Sequence, residues 1–159
     1  MIQRIQSIYL LAAIVVQVLI FNFPLWQGEG NTNTHLPKIT VQANHTSIVS
    51  GMDTLEITHP EIIIINSLII LLAIADLFLF RKRKLQLTIS RVLILLTCIL
   101  IATLFFNIHI GNERFQSIEH SSFYMLSVYL PFISIILFFL AGRAINADEK
   151  LVRSADRLR

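Results

Sequence analysis

The sequence predicts an all-α membrane protein. Its architecture is a bundle of four transmembrane helices with both termini in the cytoplasm, a small β-rich extracytoplasmic loop between spans 1 and 2, and a cytoplasmic helical extension at the C-terminus. Three observations predict it. Of 159 residues, 55% are apolar and 14% charged, with a mean hydropathy of +0.70, whereas soluble domains carry about 25% charged residues. Four stretches reach the roughly 20 apolar residues that cross a hydrocarbon core as helix. Lys and Arg gather on one side of those stretches. The low charge, the five glycines and the single cysteine exclude a disordered tail, a collagen-like fibre and a disulfide-stapled secreted domain.

The first span covers about residues 5–26. Arg4 precedes it as in a secretory signal, but the core is long and NFPLWQGEG has no small-residue cleavage pattern, so the helix is expected to be retained. Trp26 at its far end suits the aromatic belt of a membrane interface. Residues 27–60 change character: Asn, Thr, Ser, Gly and His dominate, and Ile39 to Gln42, Thr46 to Val49 and Thr54 to Thr58 are rich in β-branched residues. They read as two or three short antiparallel strands. So small a unit is marginal alone and needs support from the helix ends, a partner, or the third loop, Gly111 to His120.

Pro60 and Glu61 restart the helix, since proline fits the first turn and a carboxylate complements its positive end. The second span runs to about residue 80, the third covers about 87–110 and the fourth about 122–141. In the last of these, Ser127 and Ser134 flank Pro131, which reads as a kink with hydroxyls serving freed carbonyls. Gln17, Asn66 and Asn107 are placed to hydrogen-bond across the bundle. Residues 142–159 form the tail, where Ala144, Ala147, Leu151, Ala155 and Leu158 recur at helical steps and Glu149 stands four before Arg153.

Orientation follows from charge. Eleven of the thirteen Lys and Arg fall on one side: Arg4, the cluster Arg81, Lys82, Arg83 and Lys84, Arg91, and Arg143, Lys150, Arg153, Arg157 and Arg159. Lys38 and Arg114 are alone on the other, with six carboxylates. The basic side is expected to be cytoplasmic. The net charge of +3 therefore needs no nucleic-acid partner, because anionic lipid headgroups suffice.

Asp76 is the one acidic residue within a span. A carboxylate at mid-bilayer costs about 2.5 to 3.5 kcal/mol on insertion scales, which raises a proton relay or ion site, but Asp76 lies only about 7 Å of helix rise inside the basic cluster. Pairing with Arg91, Arg143 or a snorkelling lysine is the favoured reading. His35, His45, His59, His109 and His120 all fall on or near the outer side, the weak makings of a metal or haem site, yet no metal-ligand spacing supports it. Cys98 reads as a small hydrophobe, and Cys98 with Ala102 is the nearest small-residue pair to a contact face. No nucleophile elbow, phosphate loop or dinucleotide fingerprint occurs, so no enzyme and no cofactor are expected.

The opening MIQRIQSIYLLAA, the FPLW exit of the first span and the ending DEKLVRSADRLR resemble an uncharacterised bacterial family of small four-span membrane proteins, domain of unknown function 4293. The resemblance covers essentially the whole chain. It implies an inner-membrane protein of a Gram-negative envelope and supplies no activity, cofactor or catalytic residue. The bundle with strands in its first outer loop also looks like the claudin type, whose paired cysteines are missing here.

The leading functional expectation is a non-enzymatic scaffold or accessory subunit of an envelope complex. Its contacts would be the bilayer and other membrane proteins, reached through the outer loop or through Leu151, Arg153, Arg157 and Leu158 of the tail. A small transporter or ion-coupled channel using Asp76 is the main alternative, and an outer-face metal or haem binder the second.

Overall fold

The structure, a computed structural model, describes residues 5–30, 38–50, 53–79, 82–113 and 120–157. His35, Arg81 and Leu158 lie outside these residues, as do the side chains of Arg83, His120, Leu151, Arg153 and Arg157. The elements follow as α1 (Ile5–Asn22), β1 (Trp26–Gly30), β2 (Lys38–Val41), β3 (His45–Ser50), β4 (Asp53–Thr58), α2 (Pro60–Phe78), α3 (Arg83–Glu113), β5 (His120–Tyr124), a 3-10 turn (Leu126–Tyr129) and α4 (Leu130–Arg157). All four helices are long and apolar enough to cross a membrane.

Each helix ends for a local reason. Asn22 closes α1 by donating from Nδ2 to the Val18 carbonyl at 3.0 Å, and Pro24, two residues on, cannot continue it. Proline occupies the first turn of α2 with Glu61 beside it, as the helix dipole favours. At the other end the Leu79 N–H turns back to Ala75 and Asp76 at 3.1 and 3.2 Å, and Lys82 N–H reaches Leu79 at 2.9 Å. α3 runs antiparallel to α2, with Ser90 beside Asp76 and Asn107 beside Glu61.

The helices form a ring in which α1 packs on α2 and α4, and α3 on α2 and α4. Buried positions step by alternating fours and threes. In α1 they are Gln6, Leu10, Ala13, Gln17 and Ile20, and in α2 Ile62, Asn66, Ile69, Ala73 and Asp76. The same phase runs through Gln86, Ser90, Leu93, Thr97 and Leu100 of α3 and through Ser134, Phe138, Ala141 and Ile145 of α4. This is the narrow seam of left-handed helix packing. Only 28–33% of each span's apolar window is buried; the remaining faces, with Leu11, Leu71, Leu95, Phe106 and Ile136 outward, are left for lipid. Small and polar side chains are concentrated in the seam, where they let backbones approach and hydrogen-bond.

At one end of the bundle lies a five-stranded antiparallel sheet of order β4-β3-β2-β1-β5. Trp26 stands opposite Val41 on one side and Tyr124 on the other. The ladder extends past the strands, with Leu25 N–H donating to Val41 at 2.8 Å and Met125 N–H to Leu25 at 3.0 Å. Leu25, Trp26, Ile39, Val41 and Ala43 are buried and join the core of the bundle. Ser127 Oγ donates to the Pro24 carbonyl, tying the entry of α4 to the exit of α1.

Five sequence expectations are corrected here. The sheet is larger than a two- or three-strand hairpin, because β1 belongs to it and the third loop supplies β5. Ser122 therefore lies in a strand, and the fourth crossing begins only at the 3-10 turn. Its Ser-Ser-Phe-Tyr segment finds backbone partners in β1, which hydropathy averaging cannot register. Trp26, at 1% exposure, is a core residue of β1 rather than a belt aromatic; Phe23, Phe123, Tyr124 and Tyr129 are the exposed aromatics near that level. Pro131 sits in the first turn of α4, where it needs no kink, and Ser134 Oγ donates to Leu130 at 3.3 Å. Cys98 and Ala102 both face outward and take no part in the seam.

Candidate functional site

Asp76 is the natural starting point, since burial of a carboxylate in a membrane span demands an explanation. The seam phase of α2 turns it inward, two residues before the helix ends, at 0% exposure. Ser90 Oγ donates to its Oδ2 at 3.0 Å, and Gln86 Nε2 donates to its backbone carbonyl at 3.2 Å. Both partners occupy the seam of α3. Across from Ser90 stands Gly142 of α4, where a Cβ would meet Ser90 Cβ at 3.7 Å. Asp76, Ser90 and Gly142 thus mark one level near the basic end. Asp76 Oδ1 and Gln86 Oε1 have no hydrogen-bond partner among the described residues.

The expected pairing of Asp76 with Arg91 or Arg143 is not formed. Successive residues of a helix point about 100° apart, so Ser90 and Gly142, directed inward, leave Arg91 and Arg143 directed outward and exposed. The two arginines instead flank a groove of about 280 Å³ between α3 and α4. Lys82 and Lys84 are likewise exposed at this end.

A second polar pair lies nearer the sheet. Asn66 Nδ2 donates to the Gln17 carbonyl at 3.1 Å, joining α2 to α1. Asn66 Oδ1 and both side-chain ends of Gln17 are buried with no partner among the described residues.

The three described histidine side chains, His45, His59 and His109, do not converge. His45 Nδ1 lies 2.9 Å from Asn44 Oδ1, and His109 Nε2 3.2 Å from Glu113 one turn later on α3. His59 bridges elements: its Nε2 stands 2.7 Å from Thr46 Oγ1 of β3 and its Nδ1 3.4 Å from Glu61 Oε1 of α2. Asn107 Nδ2 of α3 donates to the same Glu61 oxygen at 3.3 Å. Among the described residues no three His, Cys, Asp or Glu side chains are grouped to hold a metal ion. The chain Thr46, His59, Glu61, Asn107 is a brace between sheet and bundle. Replacing His59 by Ala is expected to loosen that brace by about 1 to 2 kcal/mol, read as faster amide exchange in β3 and β4 while α3 is unchanged. Equal exchange in both proteins would refute it.

These features define a multi-pass membrane protein: a ring of four apolar helices with polar side chains along the inner seam and an antiparallel sheet covering one end. The chain belongs to the family described as a domain of unknown function (DUF4293), which matches residues 2–158. No curated protein matches it. Ser90, Gln86 and Gly142 were missed from the sequence, although the steps of four and seven residues from Gln86 to Ser90 to Thr97 would have marked the first two.

Proposed function

We propose that the protein is a non-enzymatic scaffold or accessory subunit of a membrane complex in a bacterial inner membrane, with both termini in the cytoplasm and the sheet outside. The single observation that carries this reading is the edge strand β4, which among the described strands is paired on one side only. Every residue from Thr54 to Thr58 in β4 is exposed. Leu55 and Ile57 stand opposite Ile48 and Thr46, which in turn stand opposite Ile39 and Val41; all are on one face, buried along β2 and uncovered along β4. An open edge with an apolar flank is a template for a strand from another chain. The partner fitting it is the extracytoplasmic segment of a second membrane protein, and the distribution of cations supports placing that segment outside.

The experiment is purification of the full chain from native membranes in mild detergent, with and without Leu55→Asp and Ile57→Asp. A partner recovered with the unaltered chain and lost with the double variant is expected. Recovery of the protein alone, with normal envelope physiology after deletion, argues against the proposal.

A second reading, ion-coupled transport, draws support from the unpartnered oxygens of Asp76 and Gln86. Asp76→Asn retains a group able to accept from Ser90 and removes the charge. In the scaffold reading the variant accumulates normally or falls in abundance, without any flux to lose; abolished flux in proteoliposomes with folding preserved would favour transport.

A further inference from the structure

The groove between α3 and α4 combines two chemistries on one wall. Arg91 and Arg143 project from neighbouring helices at the level of Ser90 and Gly142, and Asn146 stands one turn further along α4. Toward the middle of the span the lining becomes apolar, with Ile94, Phe138 and Phe139. Phe138 is fully buried and forms the back of the groove, whereas Phe139 is 58% exposed and faces outward from the bundle. Neither arginine is engaged by Asp76, whose described hydrogen bonds go to Ser90 and Gln86.

Guanidinium groups bind phosphate through paired N–H donors, and arginines at a bilayer surface place their charge at headgroup depth. The order along the groove, two cations and an amide beside Leu87 at the bundle end and aromatic and aliphatic walls below, matches a headgroup followed by an acyl chain. A free phosphate would use only the upper half. We propose that this groove is a binding site for one anionic phospholipid, its phosphate held by Arg91, Arg143 and Asn146 and one acyl chain lying along Ile94, Phe138 and Phe139. The volume of about 280 Å³ fits a headgroup and the first part of a chain, with the remainder in the bilayer. Gly142 and Ser90 form part of the floor, where a Cβ at 142 would already be in van der Waals contact with Ser90 Cβ at 3.7 Å.

The test is native mass spectrometry of the full chain in detergent, titrated with phosphatidylglycerol and with phosphatidylcholine. One phosphatidylglycerol is expected to bind about tenfold more tightly than phosphatidylcholine. Arg91→Gln with Arg143→Gln should abolish that preference, and Lys82→Gln with Lys84→Gln, two cations at the same end outside the groove, should preserve it. Gly142→Leu alters no charge and should also lower phosphatidylglycerol binding by filling the floor. Equal losses in the two charge variants would reduce the effect to general attraction and overturn the site. So would undiminished binding to Gly142→Leu, or displacement of the lipid by inorganic phosphate at equal concentration. A photoreactive phosphatidylglycerol added to the unaltered chain gives a reading independent of variant folding: labelling near Ile94 and Phe139 is expected, and labelling confined to other surfaces refutes the assignment.

Discussion

Replacing Trp26 by Ala is expected to destabilise the sheet end of the molecule by about 3 to 5 kcal/mol, the range for removing a fully buried large aromatic. The size of the effect follows from position. Trp26 lies in β1, with Val41 and Tyr124 as its cross-strand partners, and it is buried in the same core as Leu25, Ile39 and Leu104. Its loss removes the largest of the buried side chains, with Leu25, Ile39, Val41 and Ala43, by which the sheet joins the core of the helices. The measurement is thermal unfolding in detergent together with limited proteolysis of the β2–β4 segment. The variant should be cleaved there at protease levels that leave the parent intact. An unchanged midpoint and unchanged cleavage would show that Trp26 does not hold the sheet.

Ala141→Phe and Ala102→Phe make the same substitution on opposite faces of the spans, and they should differ sharply. Ala141 lies in the seam at 0% exposure, between Phe138 and Ile145. A phenyl ring there must separate α4 from its neighbours, and overpacking of this kind costs about 1 to 3 kcal/mol or more. Ala102 faces outward from α3, where a larger apolar group meets lipid, so a change within about 0.5 kcal/mol is expected. Unfolding midpoints of the two variants, measured in the same detergent, decide the matter. Equal sensitivity would mean that the inward faces are wrongly assigned.

That contrast shows where the sequence is easy to read and where it is not. A span is recognised by length and apolarity, and four such helices are found, with the end of the first and the start of the fourth displaced by strands β1 and β5. The direction each helix faces is harder, because lipid and protein interior are similarly apolar and the usual amphipathic stripe disappears. Here polarity is reversed: Gln6 and Gln17, Asn66 and Asp76, and Gln86, Ser90 and Thr97 are the inward residues. Their spacings, eleven in α1, ten in α2 and four then seven in α3, are all sums of the three- and four-residue steps that keep one helix face, and they carry the signal. Asp76 stood out as a charge, but its partner did not, because the Asp76–Ser90 hydrogen bond depends on how the turn at Leu79 to Lys82 registers α3 against α2. β5 was hidden for another reason. Its pairing with β1 joins segments about a hundred residues apart, and nothing local distinguishes its serines and aromatics from the beginning of a span.

The interior position of β1, between β2 and β5, also bears on how the protein is made. A ribosome delivers β1 through β4 long before β5, and the two deliveries are separated by synthesis of α2 and α3. Until the late strand arrives, one margin of β1 has unsatisfied backbone amides and carbonyls, open to mispairing with any extended chain nearby. Nascent chains halted after the second helix would be aggregation-prone and in need of chaperone protection, and closure by β5 would mark the moment at which the newborn protein escapes that dependence.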